Sequence, residues 1–80
     1  MYEIIYSMKN GGRVLDRIKD FSKAKKRLLD LKHRGDREGA IYKMPFHSTT
    51  DRKALVLWFG EQSYWDNVSK EDQSVLDKKI

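Results

Sequence analysis

The residues best suited to chemistry are cations. Lys23, Lys25, Lys26, Arg27, Lys32 and Arg34 fall within the thirteen-residue stretch SKAKKRLLDLKHR, from Ser22 to Arg34, against Asp30 as its one acid. Lysine and arginine at this density serve phosphate or carboxylate recognition, because their attraction for a polyanion adds over many contacts and needs no exact geometry. Arg13, Arg17 and Arg37 flank the stretch and extend the candidate surface. Residues 1–40 carry eleven Lys and Arg against six Asp and Glu, whereas residues 41–80 carry six of each. The whole net charge of +5 therefore lies in the half that holds the basic segment.

Catalytic chemistry has little to work with. The chain has no cysteine, and Ser7, Ser48 and Ser63 stand in no nucleophile-elbow or triad context. His33 and His47 are the two histidines, the first at the end of the basic segment and the second beside Ser48, Thr49 and Asp51. Asp36 with Glu38, or His47 with Asp51, falls short of a metal-coordination set. Gly11-Gly12 stands between two strand-like runs, a hairpin turn and no phosphate loop. No enzyme activity, metal or cofactor is expected.

Aromatic side chains offer a second kind of contact. Tyr2, Tyr6, Tyr42, Trp58, Tyr64 and Trp65 could stack on bases if several lay on an exposed sheet face beside the cations. Tyr64 and Trp65 are also candidate hot spots for a protein partner, with Arg27 beside them. Aromatics packed inside would leave a purely charged helix, which suits the phosphate backbone.

The elements that must position these groups follow from periodicity. Ala24, Leu28 and Leu31 recur at spacings of four and three, which predicts a helix with one apolar stripe, extended by Phe21 and flanked by Leu29. Ser22 reads as its N-cap and Gly35 as its stop. Lysines in its first turn oppose the helix dipole, so they are expected to serve a partner. Asp30 can pair with Lys26 or Arg34. Tyr2 to Met8 alternates Tyr2, Ile4, Tyr6 and Met8 on one face, a strand, and Asn10-Gly11-Gly12 turns the chain into a second strand, Arg13 to Lys19. That strand is mixed in character, with Val14 and Ile18 on one face and Leu15, Arg17 and Lys19 on the other, as an edge strand would be.

Ala40 to Met44 is a third strand, ended by Pro45. His47 to Lys53 is a polar loop, and Ala54 to Phe59, apolar on both faces, is expected to be the central strand, closed by Gly60. Glu61 to Asn67 fits no element, although Tyr64 and Trp65 are expected to pack over the sheet. Ser69-Lys70-Glu71-Asp72 is a capping-box pattern opening a short helix to Ile80, with Val75, Leu76 and Ile80 inward and Lys78 and Lys79 trailing. The expected fold is a single α+β domain over residues 1–80, ββαββ(α). One amphipathic basic helix packs on a four-stranded antiparallel sheet, followed by a short C-terminal helix. No apolar run reaches membrane-spanning length, and MYEIIYSMKN lacks the basic leader and long apolar core of a secretory signal. A cysteine-free cytoplasmic protein is expected.

The opening MYEIIYS resembles the first strand of some small ribonuclease toxins, from which the chain departs by placing a hairpin before its first helix. In size and architecture the chain is similar to phage-encoded inhibitors of host or defence complexes, including some anti-CRISPR proteins. Such a likeness implies binding to an acidic or nucleic-acid-binding protein surface. The leading expectation is a non-catalytic binding protein whose basic helix engages nucleic acid or a nucleic-acid-containing complex. The alternatives are a phage-type inhibitor or modulator, then a small ribonuclease.

Overall fold

The computed structural model describes residues 1–61 and 64–80. The elements run β1 (Tyr2–Ser7), β2 (Arg13–Ile18), α1 (Phe21–Arg34), β3 (Glu38–Lys43), β4 (Leu55–Gly60), α2 (Tyr64–Ser69) and α3 (Gln73–Leu76). The strands form one antiparallel sheet in the order β2-β1-β3-β4. The expected α+β fold is therefore present, with α1 packed on a four-stranded sheet.

Strand alternation sends β1 residues Ile4 and Tyr6 to one face, where they meet Ala24, Leu28 and Leu31 of α1 together with Ile41 and Phe59. Tyr2, Met8, Val14 and Ile18 close over this core from the edge, as their alternation predicts. Gly39 lets α1 approach β3. A methyl at that position would sit 2.8 Å from the Phe59 ring and 3.1 Å from Leu28 Cδ1. The opposite face carries Tyr42, Leu55 and Trp58, covered by Trp65 and Val68 of α2 and Val75 of α3.

Four expectations need correction. Helix α1 begins one residue before Ser22, and its N-cap is Asp20, whose side chain accepts from the Ser22 amide at 3.1 Å. The two residues compete for one role, and the carboxylate is the stronger acceptor at a helix N-terminus. Gly35 does end the helix, left-handed at φ 91°, with its amide on the carbonyls of Leu31 and Lys32. Strand β3 starts at Glu38, because Glu38 and Gly39 lie opposite Gly60 and Phe59 of β4 and opposite Ser7 and Tyr6 of β1.

Strand β4 is an edge, and β1 and β3 are central. It is apolar on both sides because α1 covers one face and the C-terminal helices cover the other. Its free edge is closed by the chain's own end, through Trp58 N–H to the Lys78 carbonyl at 3.1 Å and Ile80 N–H to the Trp58 carbonyl at 2.9 Å.

The C-terminal region holds two short helices where one was expected. Ser69 ends α2, its hydroxyl donating to the Asp66 carbonyl at 2.8 Å, while Asp72 caps α3 by accepting from the Ser74 amide at 3.0 Å. Val75 is buried, but Leu76 is 42% exposed, and Ile80 packs against the core on the α1 side. Gln62 and Ser63, part of the stretch that fitted no element, lie outside the described residues.

Candidate nucleic-acid interface

Burial of Ala24, Leu28 and Leu31 fixes how α1 presents every other side chain. At 3.6 residues per turn, Lys26 and His33 point away from the sheet. Lys25 and Lys32 lie on the flank toward β4, where Lys32 lines a cleft with Phe59, Gly60, Lys79 and Ile80. Lys23, Arg27 and Arg34 lie on the flank toward β2. The first turn contains no acid at all.

The arginines and lysines then part company. Arg34 turns back to Asp36 in a two-pronged contact, Nε to Oδ1 at 3.0 Å and Nη2 to Oδ2 at 2.6 Å. The Asp36 side chain is only 4% exposed. This contact raises the Arg34 pKa and holds the Asp36 carboxyl below its ordinary value. Arg27 donates to the Tyr6 hydroxyl at 3.3 Å and lies 3.6 Å from the Asp16 carboxylate on β2. Both guanidiniums sit over the Tyr6 ring, at 5.8 Å for Arg27 and 6.0 Å for Arg34. Arg17 pairs at 3.1 Å with Glu3, a buried carboxylate on the other sheet face. These three arginines are structural partners as well as charges.

Lys23, Lys25, Lys26 and Lys32 are exposed, and among the described residues none has an ion-pair partner. The same holds for Arg13 and Arg37. Asp30 is exposed and makes no such pair with Lys26 or Arg34, whose guanidinium is committed to Asp36. The nine candidate cations do not form one surface. Arg13 and Arg17 align with Ser7 and Glu3 on the sheet face away from α1, and Arg37 follows the helix beside Lys32.

The aromatics are mostly interior. Tyr6, Tyr42, Trp58 and Trp65 are at most 5% exposed, and Tyr2 is half-buried against Phe21. Trp65 is thus unavailable as a surface hot spot, because its indole N–H donates to the Tyr42 hydroxyl at 2.9 Å inside the core. Tyr42 donates in turn to the Thr49 carbonyl at 2.7 Å, and burial pushes its hydroxyl pKa up. Trp58 Nε1–H donates to the Val75 carbonyl at 2.8 Å. Tyr64 is 48% exposed and lies on the sheet side away from α1, beside Ile5 and Arg13.

His33 and His47 are both exposed, on α1 and in the loop after β3. Among the described residues, no group of three or more His, Asp or Glu side chains could hold a metal ion. Ser63 lies outside the described residues. No described helix is long and apolar enough to cross a membrane.

One surface feature was missed in the sequence. Leu15, Ile5, Ala40 and Trp58 form a row across the sheet, running from 51% exposed at Leu15 to fully buried at Trp58. The alternation of RVLDRI, with Leu15 between Arg13 and Arg17, was its signal. The chain matches no protein-family model, no curated protein and no solved structure.

Proposed function

We propose that the chain is a non-catalytic cytoplasmic binding protein that lays the outer face of α1 along a nucleic-acid phosphate backbone. The observation that carries this reading is the first two turns of α1. They present Lys23, Lys25 and Lys26 to solvent with no acid among them, although Lys23, in the first turn, opposes the helix dipole by about 0.3–1 kcal/mol. Asp20 caps α1 and Asp72 caps α3, so on α1 the acid stands at the cap and the first two turns beyond it are left to lysine and arginine.

The burial of the aromatics favours backbone contact over base stacking. Phosphate contacts of this kind give affinity and salt dependence without reading sequence. Lys23, Lys26 and Lys25 form the leading contact set, with Lys32 and Arg37 extending it along one flank. Arg27 and Arg34 add field from fixed positions on the other.

Reversing charge at Lys23 and Lys26 tests this reading. The double variant to glutamate should lose most of its affinity for labelled DNA and RNA in anisotropy titrations. Its melting temperature should be unchanged or higher, because glutamates suit a helix N-terminus. Undiminished binding by the folded variant would remove α1 as the working face.

A further inference from the structure

The two edges of the sheet are treated differently. The edge of β4 is closed by residues 78–80 of the chain itself, whereas β2 pairs with β1 alone. Among the described residues, no backbone hydrogen bond reaches the outer side of β2. Among the described residues, the C-terminal helices cover the β3–β4 half of their sheet face and Glu3 of β1 is buried on it too, whereas Arg13, Leu15 and Arg17 of β2 are exposed. Leu15 is 51% exposed there, Ile5 is partly covered beside it, and Tyr64 stands at the rim.

We infer that β2 is a docking edge for an extended acidic peptide of a partner protein, which adds to the sheet as a fifth, antiparallel strand. Backbone groups supply the affinity in strand addition, and alternate side chains supply the selection. On the face away from α1 a new strand meets Arg13, Leu15 and Arg17 in succession. Directly opposite positions favour an acid, an apolar residue and an acid. On the α1 face it meets Val14, Asp16 and Ile18, which favour an apolar residue, a base and an apolar residue. Arg27, midway along α1 and 3.6 Å from the Asp16 carboxylate, adds positive field over the same edge.

A second copy of the chain fits this edge poorly. Symmetric antiparallel pairing keeps α1 of both copies on one side, and two registers give the greatest overlap of β2 with itself. Centred on Leu15, the pairing sets Arg13 against Arg17 of the second copy twice. Centred on Asp16, it sets the two aspartates against each other. Like charges directly opposite are destabilising, and the arginines that block the first of these registers also select acids on a visiting strand.

The probe is the peptide Val-Glu-Lys-Val-Val-Glu, which complements Ile18 to Arg13 in antiparallel order. Its control is the charge-inverted Val-Lys-Glu-Val-Val-Lys. Both are titrated at millimolar concentration into the isotope-labelled full chain while backbone amide shifts are followed. The first peptide should shift β2 amides and bind roughly ten-fold more tightly than the control. Arg13→Glu, at an exposed residue with no ion-pair partner, should erase or reverse that preference. Leu15→Asp should weaken both peptides, and its spectrum reports whether it folds. The Lys23/Lys26 glutamate variant should bind the first peptide as the wild type does, which separates this edge from the phosphate-binding reading. Equal affinity for both peptides, no shift at β2, or shifts centred on α1 would overturn the assignment.

Discussion

At the scale of single residues, the clearest constraints are a missing side chain and an ion pair. Gly39 sits where α1 crosses β3, and a methyl there meets Phe59, Leu28 and Tyr6 within 3.2 Å. Gly39→Ala should therefore lower unfolding free energy by about 1–3 kcal/mol, measured by denaturant titration. Read from sequence, the third strand starts at Ala40 and leaves Gly39 outside it, since nothing local says that a helix passes overhead. Asp36 has its pKa lowered from an ordinary 3.8, chiefly by its hydrogen bonds with Arg34. A carboxylate with a depressed native pKa contributes stability that is present above its unfolded value. That contribution is lost as pH falls through the native one. Asp36→Asn should melt lower than wild type at neutral pH, and the gap should close progressively below about pH 4. A gap that stays constant down the acid limb would show that the pair adds nothing through ionisation.

Among the elements, α1 and β1 were legible because their side-chain periods are strong and their neighbours agree with them. The cap was not. Asp20 and Ser22 can each serve at that spacing, and only the backbone geometry chooses. Asp20→Ala should reduce stability by about 1 kcal/mol, whereas Ser22→Ala should change it little, both read by thermal melts. Strand β4 was misplaced at the centre because apolar residues on both faces indicate two covering layers, and an edge strand can have both. The covering at its outer edge comes from residues 78–80, far along the chain, so no local pattern announces it. Trp58→Phe removes the indole bond to the Val75 carbonyl, which then keeps only the Lys78 amide at 3.1 Å, at a cost of about 0.5–1.5 kcal/mol. Hydrogen exchange in that variant should quicken first in α3 and at the Ile80 amide. Unchanged protection there would mean that Trp58 does not dock the C-terminal end.

For the whole molecule, the division of labour follows charge and covering. The basic half of the sequence supplies β1, β2 and α1, and the charge-balanced half supplies β4 and the helices that cover the second sheet face. The location of the excess charge was legible from composition. Its sorting into committed arginines and uncommitted lysines was not, because Tyr6, Asp16 and Asp36 come to Arg27 and Arg34 only through the fold. The aromatics likewise had to be seen in place. Their burial turns a list that suggested base stacking into a core, and it leaves α1 with a face of charge alone.

The most direct measurement is the affinity of the wild-type chain for short labelled DNA and RNA across a range of salt concentrations. Contact through α1 lysines should give binding to both at low salt. The logarithm of the association constant should fall linearly with the logarithm of salt, at a slope of roughly −0.7 to −0.9 for each phosphate neutralised. Three to five such contacts are expected from Lys23, Lys25, Lys26, Lys32 and Arg37. No binding even at low salt, or binding indifferent to salt, would contradict the assignment of α1 to a phosphate backbone.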